Sequence, residues 1–457
     1  MGTMKKYIGD RAFYKRVLTI MLPVLAQNVI TNFVSLLDNI MVGRVGTEPM
    51  SGVAIVNQLL FVFNVCIFGG MSGAGIFTAQ YHGKGDREGV YNTIRAKAWI
   101  AIGAVLIAVE LFTLFGSELL SLFIHEGEDS IDLAATLDYG RQYLRIMTFQ
   151  LPLFAVVNMY AGSLRETGNT RLPMKASMIA VAVNLTFNYI LIYGKLGAPA
   201  LGVAGAAYAT VLARIVETVI VVAGSGFKGV WRTMRVPRSL AKQVAVSGLP
   251  LLVNELLWSG GMTTLIQIMS LKGVEVVSAE NISNTVCNLF FCAFFSTGAT
   301  ISIMIGHRLG AGELEEAVDE DRKLIAFSVV FSTAVGLLMI LIAPLMPRIY
   351  NTTEIVKSMA ASFIVINAVM MPVNAFNHGC YYTLRSGGRV WITILYDSIY
   401  IWIITVPLTR ILVKYTALPV VTVYGISYYI DIIKVIAGYF LLKGKSWVNN
   451  LVGEKHA

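Results

Sequence analysis

The sequence predicts an all-α integral membrane protein of twelve transmembrane helices, arranged as two six-helix bundles. Three observations predict it. The chain says the same thing twice: residues 23–85 align with 250–312 without a gap at an offset of 227, and 152–165 align with 372–385 at an offset of 220. Of its 457 residues, 56% are hydrophobic and only 14% charged, whereas soluble proteins carry about 25% charged residues. Both halves consist almost wholly of apolar stretches near the length that spans a bilayer.

Those stretches lie at about 17–42, 53–79, 98–124, 142–164, 174–194 and 201–223, then at about 244–271, 278–305, 324–346, 358–384, 391–413 and 419–442. With no water to satisfy the backbone, each is predicted to be a helix. Six helices per repeat is an even number, so both halves enter and leave on the same side, and the pseudo-twofold axis runs along the membrane normal. The expected organisation is an N-lobe at 1–223, a basic linker at 224–243 and a C-lobe at 244–457. A linker of this length allows the lobes to rock.

Lys and Arg set the orientation. With the N-terminus inside, 25 of the 36 basic residues fall in cytoplasmic segments, Arg95, Lys97 and Arg385 among them. Both termini are therefore expected in the cytoplasm, with the chain a multi-pass protein of the plasma membrane. The acidic run from Glu126 to Asp129 falls outside. This bias accounts for the net charge of +9, which is then no argument for nucleic acid. Cys66, Cys287, Cys292 and Cys380 sit in apolar helices without a CxxC pair, so no metal cluster or disulfide framework is expected. No cleaved signal peptide is evident. No GxxxxGK[ST] loop, HExxH motif or Ser-His motif occurs, which argues against an ATPase or other enzyme. No cofactor is expected.

Polar stripes mark the candidate functional positions. Gln27, Thr31, Ser35 and Asp38 follow at spacings of four, four and three, one face of the first helix. Asp38 is the sharpest of them. A carboxylate there costs about 2.5–3.5 kcal/mol if unpaired, which a proton, a bound cation or several hydrogen bonds can offset. Glu280, Asn284 and Asn288 share a face of the eighth helix. Asn57, on the second helix, is the repeat mate of Asn284. His378 follows Asn367 and Asn374 on the tenth. These residues, with Glu255 on the seventh, are the expected lining of a substrate cavity. Glu280 also reads as a solvated carboxylate near a helix start, Glu255 as a structural hydrogen-bond acceptor and His378 as a satisfied core residue. Arg214 with Glu217 and Asp431 with Lys434 are spaced for internal ion pairs. Asp397 has no sequence neighbour to pair with. Phe290, Phe291, Phe294 and Phe295 read as an adaptable apolar wall or as lipid-facing packing. The turns at Gly83 to Asp86, Gly310 to Glu313 and Leu164 to Pro173 carry glycine caps and helix restarts.

Together these residues resemble the multidrug and toxic compound extrusion family. The carriers are Pro23 and Asp38 in the run Leu37 to Gly43, the Gln80 to Asp86 turn, the Leu164 to Met174 turn, and Gly202 to Thr210. The resemblance covers nearly the whole chain. It implies a two-lobed antiporter with a V-shaped cleft, in which Na⁺ or H⁺ entry drives export of amphipathic, often cationic compounds. It also implies a monomer. The family's N-lobe cation site maps onto Asp38, Asn184, Asn188, Ala206 and Thr210, with Na⁺ as one occupant of Asp38. Some members carry Asp where this chain has Asn188. The family's helix-7 glutamate lies about two turns past the proline; here Glu255 comes five residues after Pro250, and Trp258 holds the later position. A flippase of a lipid-linked precursor, from the same superfamily, is the second reading. A receptor or intramembrane enzyme is the third.

Overall fold

The computed structural model describes residues 6–121 and 132–453, apart from the side chains of Ser35, Leu36 and Asn39. The Ser35 side chain and the acidic run Glu126 to Asp129 thus lie outside what is described. All regular structure among the described residues is helical. The order is α1 (Arg11–Gly43), α2 (Thr47–Lys84), α3 (Arg87–Leu114), α4 (Gly116–Ser121), α5 (Leu133–Met147), α6 (Gln150–Glu166), α7 (Arg171–Tyr193) and α8 (Val203–Gly224). The second half follows with α9 (Arg238–Ser270), α10 (Val274–Ala311), α11 (Leu314–Ile342), α12 (Glu354–Ser386), α13 (Val390–Ile394), α14 (Val406–Tyr415), α15 (Val420–Tyr429) and α16 (Ile432–Lys443). Two π-helical stretches, Leu395–Ile399 and Ile401–Thr405, join α13 to α14.

Among the described residues, eleven helices are long and apolar enough to cross a membrane, or twelve if the α5–α6 pair, bent by 49°, is one span. The upper count matches the sequence expectation, but several spans differ in detail. The predicted fourth span, 142–164, is broken at Thr148 and Phe149. Thr148 turns its hydroxyl back onto the Leu144 carbonyl at 2.8 Å, and Pro152 has no N–H to offer the Thr148 carbonyl. In the second repeat Ala368 stands at the position of Thr148, and α12 runs unbroken through Pro372. The predicted third span starts earlier, at Arg87. It thereby takes in Arg95 and Lys97, only 2% and 1% exposed. The loop positions assigned to these two residues are corrected to the helix interior: Arg95 pairs with Glu88 at 2.6 Å, and Lys97 pairs with Glu166. Arg385 is likewise buried within α12.

Contacts divide the chain into two compact units, one of Ala26–Gly75 with Glu88–Gly248, the other of Met1–Leu25, Ile76–Arg87 and Leu249–Ala457. The boundary crosses α1 just after Pro23. In the first of these units α7 packs on α8, and α5 and α6 pack on α8 as well. Residues of the linker are fastened rather than loose: Arg95 Nε donates to the Val230 carbonyl (2.7 Å), Trp231 Nε1 to the Tyr160 hydroxyl (2.7 Å) and Trp99 Nε1 to the Met234 carbonyl (3.0 Å).

In the other unit, α10, α11 and α12 pack around a core that includes Phe294, Met339, Ile364 and Met371. There the last turns of α2 cross those of α10. A side chain at Gly83 would run into the His307 backbone, and one at Gly310 into the Gln80 backbone. Gly83 and Gly310, like Gln80 and His307, are repeat mates, so the crossing is internally symmetric. Small residues four apart on both helices (Ala79 and Gly83, Gly306 and Gly310) permit the close approach. The His82 and His307 rings meet at 4.7 Å. The turns that follow close as expected on left-handed glycines, with φ of +78° at Gly85 and +82° at Gly312.

Candidate cation site in the first repeat

The α1 carboxylate at Asp38 meets α7 side on. Asn188 Nδ2 donates to Asp38 Oδ1 at 2.7 Å. The amide end of Asn184, one turn earlier on α7, lies 2.9 and 3.2 Å from the two Asp38 oxygens. With its nitrogen toward the carboxylate it donates to both, and its oxygen then accepts from the Thr210 hydroxyl at 3.3 Å. With its oxygen toward Asp38, that oxygen accepts from Asn188 Nδ2 at 3.1 Å and its nitrogen donates to the Thr210 hydroxyl at 3.3 Å. The Thr210 hydroxyl also lies 3.0 Å from the Ala206 carbonyl. Four of the five residues that the resemblance assigned, Asp38, Asn184, Asn188 and Thr210, are thus joined side chain to side chain. Ala206 contributes its backbone oxygen.

The donor set suits a small monovalent cation. It has one formal negative charge, amide and hydroxyl oxygens, and no thiolate or imidazole; hard oxygen ligands select alkali and alkaline-earth ions over softer metals. One oxygen is already free to bind: Asn188 Oδ1 is buried without a hydrogen-bond partner, a state that is unfavourable unless something else approaches it. Sequence reasoning missed Tyr143 of α5, buried within electrostatic range of Asp38. It sits more than 100 positions from Asp38 in the chain and belongs to no motif. Tyr193 ties α7 to α1 as well, its hydroxyl donating to the Met41 carbonyl at 3.0 Å.

The remaining candidates fall in varied surroundings. Gln27 donates to Ser177 at 2.8 Å. Thr31 and Asn57 are exposed, as is Asn288, while Asn284, Glu255 and His378 are half-buried. His378 packs against the rings of Phe294 (4.7 Å) and Phe295 (5.1 Å). Glu280 is not a solvated carboxylate at a helix start: it is 3% exposed, and its Oε2 lacks a hydrogen bond. Of the four phenylalanines, Phe294 is core, Phe290 and Phe291 pack on that core, and Phe295 is exposed. Asp397 has a partner after all, accepting from Asn254 Nδ2 at 3.1 Å. The two ion pairs form as spaced, Arg214–Glu217 at 2.6 Å and Asp431–Lys434 at 3.5 Å.

Known proteins resemble the chain over nearly its whole length. A protein named probable multidrug resistance protein NorM from Thermotoga maritima is 26% identical over 410 residues, covering 88% of this chain and 86% of that protein. Probable multidrug resistance protein YoeA of Bacillus subtilis is 22% identical over 446 residues, covering 94% of each. The fold matches a solved structure described as the outward-facing conformation of a multidrug resistance MATE family transporter of the MOP superfamily, with a TM-score of 0.85, 19% identity and coverage of 97% of this chain and 98% of that one. The family model described as MatE matches residues 23–190 and again 250–416, one match for each repeat. This multi-pass membrane protein, with its two lobes of apolar helices, belongs to the MatE family of transporters.

Proposed function

We propose that the chain is a cation-coupled antiporter that exports amphipathic, often cationic drugs or metabolites by alternating access. The observation that carries the reading is the Asp38 cluster, where a carboxylate in a membrane helix faces two amides, one with an unpartnered buried oxygen and the other bonded to a threonine hydroxyl. A polar investment of that kind inside a bilayer is retained for ion or substrate handling. The multidrug names of the relatives support an export role. The lobes are 1–223 and 244–457, the membrane is the plasma membrane, and both termini are cytoplasmic, in keeping with the positive-inside bias.

The coupling ion, Na⁺ or H⁺, binds at Asp38. It shifts the transport cycle only to the extent that one conformation binds it more tightly than the other. Neutralising Asp38 changes what its amide partners must satisfy. That change repacks α1 near Pro23, where the helix lacks a backbone hydrogen bond. Repacking closes the cavity of the first lobe and expels substrate. Substrate contacts come from the polar stripes, with Gln27, Thr31, Asn57, Glu255, Glu280, Asn284, Asn288 and His378 as the residues to test.

Ethidium efflux from proteoliposomes, under a Na⁺ gradient and a proton gradient applied separately, tests the proposal. Efflux driven by either gradient and lost in Asp38→Asn is expected. Efflux from the variant equal to wild type removes Asp38 from the mechanism. Absence of efflux from the wild type under both gradients directs the same assay to labelled lipid-linked sugars.

A further inference from the structure

Below the cation cluster, the same three helices carry a second chain of polar groups, buried at its centre. Gln27 Nε2 on α1 donates to Ser177 Oγ on α7 at 2.8 Å, and the Ser177 hydroxyl donates to Glu217 Oε1 on α8 at 2.6 Å. Glu217 Oε2 accepts from Arg214 Nη1 at 2.6 Å, and the Arg214 guanidinium lies 5.3 Å over the Phe154 ring. Ser177 and Glu217 are buried.

The spacing shows what this chain does for α1. Gln27 to Ser177 and Asp38 to Asn188 are both separated by 150 positions. The two helices therefore run parallel and in register from the lower link to the upper one, about 16 Å at 1.5 Å per residue. Across to α8 the register is antiparallel: Asn184 meets Thr210, and seven residues away along each helix Ser177 meets Glu217. Cluster and chain are thus two turns apart on one three-helix frame. Gln27 also stands one turn past Pro23, where the division between the compact units crosses α1. It grips the helix where the proline has left its backbone weakest.

The second repeat has the same tie. At offsets of 227 and 220, Gln27 aligns with Asn254 and Ser177 with Asp397, and Asn254 Nδ2 donates to Asp397 Oδ2 at 3.1 Å. Arg214 aligns with Lys434, which lies within electrostatic range of Asp397. A first-helix amide hydrogen-bonded to the fifth helix, with a cation from the sixth behind it, is therefore a repeated device.

We propose that Gln27, Ser177, Glu217 and Arg214 form a positioning relay that sets the register of α1 on α7, and thereby the ion affinity of the Asp38 cluster. The proposal rests on Asp38 being the coupling site. Ser177 is the joint: its hydroxyl is both acceptor and donor, so removing it parts α1 from the Arg214–Glu217 pair without breaking that pair.

The test titrates gradient-driven ethidium efflux with NaCl at fixed pH, and with pH in Na⁺-free medium, for wild type, Ser177→Ala, Ser177→Thr and Gln27→Leu. Ser177→Ala and Gln27→Leu are expected to raise the half-saturating ion concentration roughly tenfold, the effect of losing one hydrogen bond of this kind. In Ser177→Ala the ethidium concentration at half-maximal rate stays within about twofold of wild type, and Ser177→Thr, which keeps the hydroxyl, restores ion affinity. Reduced rate or yield with unchanged ion dependence in both Ser177→Ala and Gln27→Leu overturns the relay. Full ion-coupled efflux in Asp38→Asn overturns instead the reading on which it rests. If Ser177→Ala does not fold, Gln27→Leu on the surviving Ser177–Glu217–Arg214 frame decides the matter.

Discussion

In the first repeat Asp38, Asn184, Asn188 and Thr210 converge; in the second, the aligned positions are Leu265, Ile404, Leu408 and Ile430. The alignment is firm there, since Val203, Gly205 and Tyr208 of α8 recur as Val423, Gly425 and Tyr428 at the same offset of 220. One level down the helices the repeats agree again, with Gln27–Ser177 matched by Asn254–Asp397. Duplication has thus kept the tie that holds the first helix of each repeat, while only one repeat has oxygen ligands above it. Leu265 packs against a core of Ile268, Phe363 and Tyr424. In the second repeat, apolar packing occupies the level that the first gives to a charge.

The comparison predicts its own breaking points. Converting the first repeat to the composition of the second, with Asn184→Ile and Asn188→Leu together, has the largest expected effect. Each amide interacts with a charged group, at about 1.5–3 kcal/mol, so the half-saturating ion concentration in the efflux titration rises by about 100-fold or more. An unchanged titration removes both amides from the site. The reverse exchange, Leu265→Asp, places an unpaired carboxylate in the second-repeat core. It is expected to lower stability by about 2.5–3.5 kcal/mol, read as a lower Tm in detergent, and to add no second coupled ion. A gain of ion-coupled transport would mean that α9 already carries a hidden ligand set. The smallest effect on transport is expected from Asn254→Ala. It strips Asp397 of its donor and destabilises by about 1–3 kcal/mol, yet leaves the ion dependence of efflux where it was. A shifted ion dependence there would place a coupling role in the second repeat.

Much of this architecture is legible in the sequence, for physical reasons that differ by residue. Span number and type follow from hydropathy, because a membrane helix must be apolar over a fixed length. The break between α5 and α6 is not legible that way. It arises from a Thr148 hydroxyl and a Pro152 ring, while the matching Pro372 sits in an intact helix. Asp38 announces itself as an acid in an apolar run. Asn184, Asn188 and Thr210 are ordinary polar residues at helical spacing, and it is the family resemblance that assigns them to the same site. Ser177, Glu217 and Tyr143 escape both routes. Arg214 and Glu217 read as a self-contained pair, and only the folded chain brings Ser177, 40 positions away, onto the carboxylate. Glu280, next to a helix start in sequence, is buried because α10 begins at Val274 and packs on α12 along its length.

The central claim is that ion coupling resides at Asp38 and not at the carboxylate tied to the first helix of the second repeat. The most direct measurement sets Asp38→Asn beside Asp397→Asn in the same proteoliposomes, at matched protein content and under whichever gradient drives the wild type. The account predicts that Asp38→Asn loses gradient-driven ethidium efflux while Asp397→Asn keeps it with the wild-type ion dependence. Loss of coupling in Asp397→Asn with coupling preserved in Asp38→Asn would contradict it.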